Sequence, residues 1–251
     1  MGIASRQPDP LRHLADAMQE RLATLPPAMA HRRIFLDTYR RTTLAVGDAL
    51  DAGLFEDPDW VIGWDAAFAD LYLDSHDADV AGGSVPRPWR LAFAADPELP
   101  PLRHVLLGIN AHVNYDLPQA LLAVISDDDF GRPEVMAARR RDHERIDGVL
   151  SGRVSAEDDE LAAGRGKLVD RVLQPANRAA SRRFLREARQ KVWLNTEALQ
   201  LARTAGETSY AARLAELELL SAAKIADLLA PGQVLLRLAV AGFGVTLPPP
   251  A

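Results

Sequence analysis

Residues Leu102–Ile125 read LRHVLLGINAHVNYDLPQALLAVI. Apolar residues recur there at three- and four-residue spacing, the signal of a helix. Val105, Leu106, Leu107, Ile109, Val113, Leu117, Leu121 and Leu122 cover nearly every side of it. A helix that is apolar all round is a buried one, and other helices must pack around it. Inside this apolar sleeve sit polar residues at one-turn intervals: His104, His112 and Asp116 with Gly108 on one stripe, Asn110 and Asn114 on the next. Polar groups buried in this way need partners. Pro118 adds a kink, because a helical proline lacks its N–H and clashes with the carbonyl four residues back. That carbonyl belongs to Asn114. Gly108 is expected to leave room for a neighbouring backbone or a ligand.

The same periodicity runs outward in both directions. Ala, Leu and Arg dominate and β-branched runs are scarce, which favours helix. The pattern predicts helices over about Pro10–Thr24, Ala30–Ala52 and Pro58–Ala81, the last with Asp57 as its N-cap. Ser84–Pro101 holds five prolines and reads as a loop with a short helix at Trp89–Phe93. Further helices follow over about Pro133–Leu150, Ala156–Leu173, Arg178–Ala205, Thr208–Leu229 and Gln233–Ala241. The fold class is therefore all-α: a single-domain multi-helix bundle with a proline-kinked central helix. Residues 1–232 form the helical domain, and 233–251 form a C-terminal extension with a disordered Pro-rich tail.

Composition narrows the function. The 251 residues include no cysteine, which removes disulfides, thiolate nucleophiles and cysteine-ligated metals. The net charge is −6, so no nucleic-acid partner is expected. No apolar run reaches the ~18 residues of a membrane span, and the first residues lack the apolar core of a signal peptide. A cytoplasmic location follows by elimination. Nucleotide-binding and hydrolase signatures of the Walker, G-x-G-x-x-G, H-E-x-x-H and G-x-S-x-G types are absent. The acidic run Ser126-Asp127-Asp128-Asp129 precedes Gly131 and Pro133, and reads as a loop and N-cap cluster rather than a magnesium site.

Chemistry then centres on His112 and Asp116. Two arrangements are open. In the first, Asp116 orients His112 as a metal-free general acid–base, with Asp142 as a further catalytic carboxylate. Asn110, Asn114, Tyr39, Tyr72, Arg189, Trp193 and His143 would bind substrate. In the second, His112 and Asp116 ligate one divalent zinc, iron or manganese ion, completed from another helix, in a metal-dependent hydrolase. A non-catalytic small-molecule-binding or interaction protein is the third class. The expectation adopted is an enzyme acting on a small-molecule substrate, by cyclisation, elimination or hydrolysis, with no cofactor or one divalent metal. The apolar residues of 214–229 and 234–240 offer surface for a homodimer.

The segment Asn110-Ala-His112-Val-Asn-Tyr-Asp116-Leu-Pro118 resembles the N-A-H-I-N-x-D-L-P signature of DUF5995, a family of uncharacterised proteins. Gly53-Leu-Phe-Glu-Asp-Pro58 is similar to its G-x-F-x-D-P, with Tyr39 and Thr43 ahead of it matching Y-x-x-V-T. Phe68-Ala-Asp-Leu-Tyr72, Pro88-Trp89-Arg90 and Ala188-Arg189 with Trp193 fit its later stretches in order. Asp142-His143-x-x-Ile146-Asp147 departs from its D-Y-x-x-V-N at the Tyr and the Asn. The resemblance covers about residues 20–230 and implies a shared site rather than a known reaction.

Overall fold

The computed structural model describes residues 10–163, 168–232 and 242–250, with side chains except at 147 and 150–186. All regular structure among them is helical. In chain order the helices are α1 (Pro10–Thr24), α2 (Arg33–Asp51), α3 (Pro58–Val80), α4 (Arg87–Phe93), α5 (Pro101–Ala111), α6 (Leu117–Val124), α7 (Asp127–Phe130), α8 (Pro133–Ala163), α9 (Leu168–Ala205) and α10 (Glu207–Leu229). The helix expected at 233–241 and the side chain of Asp147 lie outside the described residues.

Local rules account for most boundaries. Asp57 caps α3 by accepting from the Trp60 N–H at 3.0 Å, with Pro58 in the first turn. Gly53 (φ 71°) and Gly82 (φ 75°) supply left-handed backbone after α2 and α3. Ser126 caps α7 by accepting from the Asp129 N–H, so the acidic run is the start of a short helix. Two expectations are corrected. The breaks placed around 151–155 and 174–177 do not occur, and α8 and α9 run straight through them. The helix-forming composition on either side outweighs isolated breakers. The start of α2 is also later than expected, because Pro27–Arg32 forms a 3₁₀ turn first.

The central helix is divided rather than merely kinked. Between α5 and α6, His112–Asp116 forms a π-helical turn in which the Leu117 N–H reaches back five residues to the His112 carbonyl. The wider turn takes up the misfit that Pro118 would otherwise impose on the carbonyl of Asn114. α5, the π turn and α6 form the axis of the bundle. α2, α3, α4, α9 and α10 all pack against it, and α4 also meets α10. Leu107, Ala111, Leu117, Ala120 and Leu121 on this axis are at most 1% exposed. Each buried leucine contributes about 1.5–3 kcal/mol.

Gly108 is not open space. An added Cβ would lie 2.3 Å from the Phe35 ring of α2, so the glycine lets that ring pack on the helix backbone. Residues 242–250 also depart from expectation. They form an extended strap on α9 and the π turn, with Phe243 and Leu247 buried. The proline-rich end leaves α9 only after these anchors, and Arg213 still donates to the Pro248 carbonyl. On α10, Leu217, Ile225 and Leu228 are core, while Leu219 is exposed. No helix among the described residues is long and apolar enough to cross a membrane.

Candidate functional site

The π turn sets His112 and Asp116 one turn apart, and they bond to each other. His112 Nδ1 lies 2.9 Å from Asp116 Oδ2. The same oxygen accepts the indole N–H of Trp89, from α4, at 2.8 Å. Trp is a donor only, so Oδ2 acts as an acceptor there. All three residues are at most 3% exposed. Burial holds the His112 imidazole well below its ordinary pKa. Burial also pushes the Asp116 carboxyl up, opposed by the Trp89 hydrogen bond. A neutral imidazole that gives its Nδ1–H to Asp116 keeps a bare lone pair on Nε2. That Nε2 is buried and has no hydrogen-bond partner.

An aromatic cage holds the ring. Phe68 of α3 stacks on His112 at 3.4 Å between centroids, with planes 6° apart. Tyr39 of α2 meets it edge-on at 4.6 Å. Tyr72 and Trp89 at 5.8 Å and Phe35 at 6.2 Å complete the surround. Apart from Trp89 of α4, these residues come from two stripes of helical spacing: Phe35, Tyr39 and Thr43 on α2, and Trp64, Phe68, Tyr72 and His76 on α3. The Tyr39 hydroxyl and Thr43 Oγ1 are buried without partners, like His112 Nε2. Burial, reinforced by Asp65 and Asp116, raises the Tyr39 phenol well above its usual value. The hydroxyl therefore stays protonated.

A second buried polar group adjoins this cage through Trp64, which lies 6.1 Å from Phe68 and 5.6 Å from His143. His143 of α8 accepts the Trp193 indole N–H at Nδ1, 3.1 Å away, and its carbonyl accepts from Arg189. Its lone pair at Nδ1 being used, the neutral ring carries its proton on Nε2, which is buried and unpartnered. Burial and the Arg189 charge hold His143 well below its ordinary pKa. Asp65, 4% exposed, has an unpartnered Oδ2, and burial pushes its carboxyl up to about 7 against the pull of Arg189.

The expected residues thus separate into groups. His112, Asp116, Tyr39 and Tyr72 meet in one cage. His143, Arg189 and Trp193 form the adjoining nest. Asp142 does not join either: its carboxylate accepts the backbone N–H groups of Glu56 and Asp57, each at 2.8 Å, and is paired with Arg145. It is an anchor for the loop before α3, saturated by its donors. Asn110 and Asn114 also face away from the cage. Asn110 donates to the Leu106 carbonyl and accepts from Asn114, whose amide holds the strap. Trp64 and Asp65 are not singled out by the sequence, and Phe68 and Trp89 enter only as parts of the family resemblance. The four-residue stripe on α3 would have exposed Trp64 and Phe68, but the approach of α4 to Asp116 has no local signal.

His112 and Asp116 as co-ligands of one ion would have to give up their mutual bond. Among the described residues no three His, Asp or Glu side chains are grouped closely enough to hold a metal. The donor set offers an ion one imidazole nitrogen, with the carboxylate behind it as the orienting partner.

A family model described as a family of unknown function (DUF5995) matches residues 11–231. The chain belongs to this family. The DUF5995 match spans α1 to α10 and so includes the π turn, the cage and the His143 nest. No curated protein and no solved structure matches the chain.

Proposed function

We propose that this chain is an enzyme that transforms a small organic molecule by general acid–base chemistry at His112. One observation carries the reading: His112 is anchored through Nδ1 on Asp116, while its Nε2 is buried and unpartnered in the cage to which Tyr39 belongs. A neutral imidazole of fixed tautomer is the form a general base needs. Nε2 takes a proton from the substrate, and Asp116 stabilises the imidazolium that results. The protonated Tyr39 hydroxyl donates to the oxygen on which charge develops. The aromatic walls select a substrate with an apolar body, and the reaction class is cyclisation, elimination or hydrolysis.

The test is conversion of small metabolites by the purified protein, followed by mass spectrometry before and after incubation. The wild type depletes a substrate, and His112→Gln slows that conversion by about 10²–10⁴-fold. Equal conversion by His112→Gln contradicts the reading. A non-catalytic role has one observation in its favour. Phe68 covers one face of His112, and the cavity of about 20 Å³ lined by Phe35, Tyr72, Trp89 and His104 does not touch His112. A wild type that retains a small molecule without converting it would favour that role.

A further inference from the structure

The strap at 242–250 is held by a regular set of main-chain bonds. Residues 243, 245 and 247 turn their main-chain groups toward two asparagines. Asn114 of the π turn donates to the Phe243 carbonyl at 3.3 Å and accepts from the Val245 N–H at 3.2 Å. Asn195 of α9 donates to the Val245 carbonyl at 3.0 Å and accepts from the Leu247 N–H at 2.9 Å. A primary amide offers the donor and acceptor that a peptide group offers. Each asparagine therefore bridges a carbonyl and the N–H two residues on, as a residue of a neighbouring parallel strand does. Lys191 donates to the Gly244 carbonyl between them, at 3.0 Å. Both asparagines are 1% exposed, so these amides are built into the groove rather than borrowed from the surface.

Side-chain requirements are equally specific. Gly242 has φ 72°, and a Cβ there would lie 2.3 Å from Glu187. At Gly244 a Cβ would lie 3.0 Å from the Ala188 backbone and 2.7 Å from the Lys191 side chain. Glycine alone lets the strap approach α9 so closely. Phe243 then enters the main core, and Leu247 packs with Tyr115, Leu122, Leu199 and Leu217 in a smaller apolar cluster. Two apolar anchors, two obligatory glycines and a run of main-chain bonds are the ingredients of extended-peptide recognition.

We propose that the groove between the π turn and α9 is a binding site for an extended peptide of the form Gly-aromatic-Gly-x-x-Leu, occupied here by the chain's own residues 242–247 as a separable segment. The strap opens as a unit without unfolding the bundle, and an equivalent segment fits the vacated groove. The proposal is independent of the chemistry at His112, because the strap bonds to Asn114 and Asn195 and to neither member of the His112–Asp116 pair.

Amide hydrogen exchange on the unaltered chain tests separability. The Val245 and Leu247 amides are expected to exchange at least tenfold faster than those of α5 and the second half of α9, through local opening. Exchange of the strap only at the rate of those helices would overturn the proposal. A labelled peptide spanning Gly242–Pro250 tests recognition. It is expected to bind the full-length Gly244→Val chain, whose own strap is expelled, at least tenfold tighter than the wild type, and Asn195→Ala added to that chain removes the binding. Equal binding to both chains, or to neither while Gly244→Val remains helical, overturns it. Should Gly244→Val lose its fold, the exchange measurement decides alone.

Discussion

Asp65 shows how burial alone can set a residue's behaviour. Its carboxyl is pushed from the ordinary aspartate range up to about 7 by burial in the bundle. Between about pH 4 and 7 the native chain keeps a proton that the unfolded chain has released, so this residue makes stability fall as pH rises through that window. Asp65→Asn removes the dependence. The substituted chain is expected to melt several degrees higher than wild type at pH 8, and the gap to shrink as pH falls toward 4. Thermal melts at the two pH values check this, and a gap that is constant with pH contradicts it. At this scale the sequence was partly legible. His112 and Asp116 stood out because polar residues at one-turn spacing in an apolar helix are costly unless paired. Asp142 binds loop N–H groups, and nothing local in the sequence tells such a carboxylate from one that serves a reaction. Asp65 has no local signal, because its burial comes from the packing of the bundle.

The helices were legible wherever a cap or a periodic stripe marked them, as at Asp57 and Gly53. The long helices α8 and α9 run past the breaks that the sequence predicts, because the helix-forming residues around single breakers outweigh them. The division of the central helix into α5, a π turn and α6 follows from Pro118, but sequence indicates a disturbance there without fixing its form. Gly108 carries the contact between α5 and α2. Gly108→Ala would drive a methyl into the Phe35 ring, whose movement is restrained by Tyr39, Tyr72 and Trp89. Overpacking of this kind costs about 1–3 kcal/mol. Denaturant unfolding is the check. A loss in that range is expected despite the better helix propensity of alanine, and a stabilised variant would show that α5 and α2 do not meet as described.

In the whole molecule, one buried axis carries both the His112 cage and the contacts of the strap. The cage, faced by α2, α3 and α4, holds His112 among aromatic rings. Asn114 holds the strap beside α9. The all-α bundle was readable from hydrophobic period alone, because every amphipathic helix needs a partner and the central one needs partners all round. The strap was not, since a glycine- and proline-rich end carries no periodicity and its structure comes entirely from the groove. The central claim is that His112 is a neutral base of fixed tautomer. Nitrogen-15 NMR of the histidine side chains tests it directly. The account predicts a His112 ring protonated at Nδ1 and bare at Nε2, remaining neutral well below pH 6.5, the reference value for histidine. Asp116→Asn is expected to disturb that tautomer. A His112 ring that carries its proton on Nε2, or that is already an imidazolium at neutral pH, would contradict it.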